Sequence, residues 1–325
     1  MPARLVLLAL LAVASLPISA GIAARQGTPA ASAGEAQHFA DDTDAFVNGG
    51  YVSLFVVTDE GVIATDPGNL VDPGRAEAYA AAIASVTGQP VRYLIYSHDH
   101  ADHATGGVFA DTATFVSHEN AVEKLAALGD ANTPVPSIVF SDEMTIELGG
   151  TTIELYYAGR NHSDNSIVLL HPAQSIAFAV DFIPVNSLPY QDLPDAYPQE
   201  WITSLTWTDE NLDFDTLVIG RPPVSGTKEN VGQVRGYLED LIASVQSAQD
   251  AGLADNSPEM VDAVRADLEA DFGSWTNVAE WLPLNIEGII RTQAEGAGAT
   301  PEPQDDTKRR RPLDERRLRQ GQIEA

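Results

Sequence analysis

Short β-branched and aromatic runs alternate along the chain with alanine-rich or amphipathic stretches. Residues 51–58 (YVSLFVVT) and 61–66 (GVIATD) are separated by Asp59 and Glu60, a pattern that predicts a hairpin. Pro73 opens an alanine-rich helix to about Val86, in the first turn where proline is tolerated, and Gly88 and Pro90 end it. Residues 91–96 form an apolar strand that runs directly into SHDHADH. A strand at 113–117, a helix at 119–128 and strands at 144–148, 151–157, 166–170 and 175–180 follow. Beyond Asp181 a loop rich in Pro and Tyr reaches Tyr197, then a helix spans about 199–211 and a short strand 216–219. Val231, Val234, Leu238, Leu241, Ile242 and Val245 make one apolar helical stripe, the first of the helices that finish the domain. Strands interleaved with helices predict a layered α/β architecture.

The two ends read differently from the body. In residues 1–24, Arg4 precedes an apolar run, then Pro17 and a cluster of small residues, which is secretory-signal architecture. The expectation is cleavage, export to the periplasm or medium, and no stable membrane insertion afterwards, since no later segment is long and apolar enough to span a bilayer. Residues 25–40 read as a linker, 41–293 as the folded domain with its C-terminal helices from about 228, and 294–325 as a disordered charged tail.

Composition narrows the function. The 325 residues are 44% hydrophobic and 20% charged, enough apolar material for a full core, and they contain no cysteine. Disulfides, thiolate zinc sites and cysteine nucleophiles are therefore excluded. A formal net charge of −29 argues against nucleic acid, which is attracted by clustered Lys and Arg. Residues 1–300 hold 11 basic against 41 acidic side chains, so the tail, with seven basic and six acidic, is a basic patch on an acidic body.

Four potential metal ligands fall within six residues: His98, His100, Asp102 and His103. Alternating positions after a strand point to one side together, so His98 and His100 can converge on one ion while Asp102 and His103 turn toward a neighbouring position. His162 follows another strand, inside GRNHSDNS. HDHADH resembles the HxHxDH signature of the metallo-β-lactamase-like superfamily of metallohydrolases. The order of the other parts is similar too: Asp66 at an early strand end before Pro67 and Gly68, isolated His162, and Asp181 closing AFAV. The resemblance covers about residues 45–222 and implies a four-layer αββα sandwich with metals at one edge between two sheets. By that resemblance His98, His100 and His162 would hold a first ion, and Asp102, His103 and Asp181 a second, with Asp181 able to bridge.

The chain departs from the family at the last ligand. Arg221, in VIGRPPVSG, stands where the family usually places a histidine, and a guanidinium does not ordinarily ligate a metal. A second site finished by water, a single-metal enzyme with Arg221 paired to Asp181 or Asp102, and a degenerate site all follow; the single-metal reading is the most economical. The resemblance implies a hydrolase of an ester, thioester, lactone or amide in a small-molecule substrate, with one or two zinc ions. Asp102 would orient the attacking water or move its proton, Arg160 and Asn165 are candidate oxyanion donors, and Asp66 is a candidate to orient a ligating histidine. Tyr190 and Trp201 are candidates for the pocket mouth. Two alternatives stand beside this: a mononuclear iron enzyme resembling the sulfur dioxygenases, and a metal-containing binding protein without turnover.

Overall fold

Two seven-stranded mixed sheets arise from the alternating runs. The computed structural model describes residues 34–68, 73–129, 133–298 and 323–324, all within the compact unit Ala31–Ala325. The first sheet runs in chain order: β1 (Glu35–Ala40), β2 (Thr43–Asn48), β3 (Tyr51–Val57), β4 (Val62–Thr65), β5 (Val91–Ile95), β6 (Thr114–His118) and β7 (Ile138–Phe140). β1 to β4 pair antiparallel, while β4 to β7 pair parallel through helical crossovers. The second contains β8 (Glu143–Leu148), β9 (Thr151–Tyr156), β10 (Val168–His171), β11 (Ile176–Phe178), β12 (Thr216–Val218) and β13 (Ser225–Thr227), with β14 (Ile323–Glu324) beside β8.

Helices cover both outer faces. α1 (Arg75–Val86) and α2 (Ala121–Ala127) lie on the first sheet; α3 (Pro198–Asn211), α4 (Glu229–Asp250), α5 (Pro258–Phe272) and α6 (Val278–Gly298) lie on the second. Strand alternation explains the layering. In β3, Leu54 packs inward with Ile63, Ile95, Ile153, Leu155 and Leu169, whereas its neighbour Phe55 packs outward with Tyr79 and Ile83 of α1. On the far side Val168, Ala177 and Leu217 meet Trp201, Val234, Leu238, Val264 and Ile286. The expected αββα sandwich is what forms, and the stripe on α4 faces its core.

Several boundaries differ from those read in the sequence. Residues 35–40, expected as linker, form β1 on β2, and neither strand has the long apolar run that marks β3. β7 and β13 have three residues each, too short for a periodic signal. α6 continues to Gly298, past the expected domain end, and Ile323 and Glu324 of the tail pair parallel with Ile146 and Glu147. The proposed signal segment and most of the tail lie outside the described residues. No described helix is long and apolar enough to cross a membrane.

Candidate metal centre

Loop ends from both sheets meet at one edge of the sandwich. HDHADH follows β5, His162 lies between β9 and β10, Asp181 follows β11 and Arg221 follows β12. Backbone bonds lock these segments together: Ile167 N–H donates to the Ser97 carbonyl at 3.0 Å, and Val52 N–H to the Gly220 carbonyl at 2.9 Å. Gly220 has no alternative, because a Cβ there would meet Val180 Cγ1 at 2.4 Å and His103 Cε1 at 3.0 Å.

His98, His100 and His162 each offer a ring nitrogen within 4.8 Å of the others. His98 is fully buried; its Nδ1 is hydrogen-bonded to the Ser97 hydroxyl at 2.9 Å and its Nε2 has no partner among the described residues. His100 gives Nε2 to the Asp195 carboxylate at 2.8 Å and presents Nδ1 to His162 Nε2 at 3.1 Å. Burial holds His98 well below the usual imidazole range and brings His162 down to about 4, so both rings are neutral ligands at neutral pH. Burial pushes His100 the same way, but Asp195 outweighs it and raises that ring. An orphaned buried nitrogen and two neutral rings facing one point are what a divalent cation needs, so these residues fit a metal.

The second candidate position holds a different arrangement. His98, His103 and Asp181 also lie within 4.8 Å, but the Arg221 guanidinium is inserted among the carboxylates. Its Nε donates to Asp181 Oδ1 at 3.0 Å, and its Nη2 to Asp181 Oδ2 at 3.2 Å and to Asp102 Oδ2. Nη2 also lies 3.3 Å from His103 Nε2, and the guanidinium stacks over Tyr51, 4.9 Å from the ring centre. Burial alone would raise both carboxyls; His103 and Arg221 win and hold Asp102 below, and Asp181 well below, the carboxylate range. Those two carboxylates in turn keep Arg221 charged against the cost of burial.

Asp66 is buried at φ 35 and accepts from the Ser97 N–H at 2.8 Å, so it fixes the start of the histidine loop and makes no hydrogen bond to a histidine among the described residues. Both expected oxyanion donors are engaged elsewhere. Arg160 makes a two-point ion pair with Glu200 of α3 at 2.9 and 2.8 Å and stacks over Tyr197. Asn165 spends its amide on Asp99 Oδ1 at 2.6 Å and Asp164 Oδ1 at 2.7 Å, while its Oδ1 accepts from Asp99 N–H. With both N–H groups taken it is a loop fastener. Trp201 is fully buried against His162, its Nε1 donating to the Phe182 carbonyl, whereas Tyr190 is exposed.

Asp195 was not legible in the sequence: it sits 95 residues from His100, among other loop acids, and only the need of His100 for a second partner hinted at such a group. Arg75 was missed because, at the start of an alanine-rich helix, it carries no local signal of burial. Buried under the 66–68 turn, it donates to the Asp66 and Pro67 carbonyls and to Ser53 Oγ.

A family description for the metallo-beta-lactamase superfamily matches residues 47–221, a span that holds every metal-side residue above. A curated relative, 2,4-dinitroanisole O-demethylase subunit alpha from Nocardioides sp. (strain JS1661), is 30% identical over 177 residues, 53% of this chain and 53% of its own. The chain thus matches about half the length of that relative. Among solved structures, a metallo-beta-lactamase from Pontibacter korlensis superposes with a TM-score of 0.55 at 21% identity, covering 63% of this chain and 99% of that one. VMB-1 gives 0.54 at 18% identity, over 63% and 96%. These structural likenesses speak for the fold, and the family match for descent: the chain belongs to the metallo-beta-lactamase superfamily.

Proposed function

We propose that the protein is an exported hydrolase of a small neutral molecule, working with a single metal ion held by His98, His100 and His162. The observation that carries this is the Arg221 guanidinium bridging Asp102 and Asp181, which puts one positive charge where a second metal ion would bring two. Export rests on the sequence of residues 1–24 alone.

A divalent ion among three imidazoles supplies Lewis acidity, which brings water toward ionisation near neutral pH and polarises an electrophile. The chain's own groups do the rest. Asp102 gives one oxygen to Arg221, and its Oδ1 makes no hydrogen bond among the described residues. Held ionised, that oxygen is a weak base but a firm acceptor, suited to orienting a water rather than removing its proton. Ser97 and Asp195 fix the rings of His98 and His100 by binding the nitrogens turned away from the site. The bond class we propose is an ester, thioester, lactone or amide, and a relative that demethylates an aryl methyl ether extends it to activated ethers. Zinc suits this chemistry. Iron is the second reading, for which His98, His103 and Asp181 offer two histidines and one carboxylate, and it predicts oxygen-dependent turnover.

Elemental analysis of the purified chain and of Arg221→His tests the reading. One metal per wild-type chain and two per variant are expected. Two in the wild type, or no gain in the variant, would refute the substitution of arginine for a metal.

A further inference from the structure

Beside the metal-side carboxylates lies a cavity of about 110 Å³, between the loop after Asp181 and the start of α6. Ile183, Val185, Leu188, Ile219 and Pro222 wall it, and Tyr190 and Trp281 close it as an edge-to-face pair 5.5 Å apart. Its charged lining groups are Asp181 and Arg221, already paired with each other. Thr276, Asn277 and Trp281, at and before the start of α6, lie beyond the span 47–221 that the family description matches, while most of the other lining residues lie within it.

We propose that this cavity receives the non-reacting part of the substrate and selects a compact, neutral aryl or branched acyl group whose oxygen accepts a hydrogen bond from Arg221 Nη1. The assignment rests on the metal-hydrolase reading above.

Four observations support it. The volume is close to that of cavities that take one benzene-sized ring, about 150 Å³. Arg221 uses Nε and Nη2 on the carboxylates, and its Nη1 makes no hydrogen bond among the described residues. Asp102, Asp181 and Arg221 together carry one net negative charge, so in the metal-free chain an anionic ligand is repelled where a neutral carbonyl, nitro or ether oxygen is not. The cavity is also preformed. Asn285 Nδ2 donates to the Pro189 and Gln191 carbonyls at 3.0 and 2.6 Å, Thr276 N–H donates to the Asn186 carbonyl at 2.9 Å, and Arg291 clamps Asp192 and Leu193. A loop fixed this way loses little entropy on binding.

The test uses the full chain, chelator-treated and then metal-loaded, titrated with acetophenone and with benzoate as its charged counterpart, read by ligand NMR and tryptophan fluorescence. Acetophenone should bind at least about tenfold more tightly than benzoate in the chelator-treated preparation, where no ion offsets the charge of Asp102 and Asp181. Trp281→Ala should weaken acetophenone by about tenfold or more, and Tyr190→Ala, at an exposed position that leaves folding intact, by about threefold. Equal binding of benzoate to the chelator-treated chain, no binding of acetophenone, or wild-type affinity in both variants would overturn the proposal. Metal content is read separately on the same samples. Acetophenone binding as described in a chain that takes up no metal would defeat the hydrolase reading and leave the pocket standing; metal uptake without acetophenone binding would defeat the pocket alone.

Discussion

The Asp195 carboxylate accepts from His100 Nε2 at 2.8 Å and thereby leaves Nδ1 of the same ring facing His162. One carboxylate on a loop of the second sheet thus sets which nitrogen a histidine of the first sheet presents. Partners of this kind typically account for about 10–100-fold in metal affinity. Asp195→Ala should therefore weaken the metal by about that factor in a chelator competition, with an unchanged melting temperature in metal-free protein, since the side chain is 40% exposed. Asp195→Asn should recover part of the loss. Unchanged affinity in the alanine variant would rule out this orienting role.

The loop that carries Asp195 is held from below by a buried pair. Tyr237 donates its hydroxyl to Asn285 Oδ1 at 2.6 Å, and both side chains are almost inaccessible. Tyr237→Phe leaves a buried amide oxygen without a partner, which costs roughly 1–3 kcal/mol. Denaturant unfolding should show that loss, and metal affinity should stay within about twofold because Asn285 still holds the Pro189 and Gln191 carbonyls. A loss of metal affinity as large as that of Asp195→Ala would show that the loop moves as one body with α6.

What the sequence made legible was local. A β-branched run delivering HDHADH places four potential ligands within a few residues of a strand end, and period-two alternation assigns Leu54 inward and Phe55 outward. Asp181 and His162 could be placed by their order relative to strands. Contacts across long sequence separations could not: Asp195 with His100, Arg291 with Asp192, and Trp281 with Tyr190 join segments whose local composition is ordinary. Arg160 and Asn165 show the converse error. Their closeness to His162 in sequence suggested a catalytic use, and the fold spends their N–H groups on Glu200, Asp99 and Asp164.

Removing the metal should cost stability. A ligand bound by the folded state alone at about a hundred times its dissociation constant adds about 2.7 kcal/mol, which for a domain of this size moves the melting temperature by roughly 5–10 °C. Chelator should produce that drop in the wild type. His98→Ala, which removes the buried ring whose Nε2 has no protein partner, should abolish the metal-dependent part of the shift. A variant that still gained several degrees on adding metal would place the ion elsewhere.

Asp66 gives the pH dependence of the metal-free protein. Burial raises its pKa from 3.8 to about 6, against the lowering influence of His103 and of the Ser97 N–H. An acid with a raised folded pKa contributes fully to the fold while protonated in both states, below about pH 4, and that contribution is lost as the pH rises through about 6. The shift amounts to about 3 kcal/mol once both states are ionised. Asp66→Asn keeps an acceptor for the Ser97 N–H, tolerates the φ of 35° and carries no charge. In chelator-treated protein the variant should be the more stable of the two, with an advantage that grows by about 1–2 kcal/mol between about pH 5 and about pH 8 in urea unfolding. Parallel pH profiles for the two proteins would show that Asp66 ionises as readily folded as unfolded. The Ser97 N–H, Arg75 and His103 would then together offset the whole cost of burying its charge.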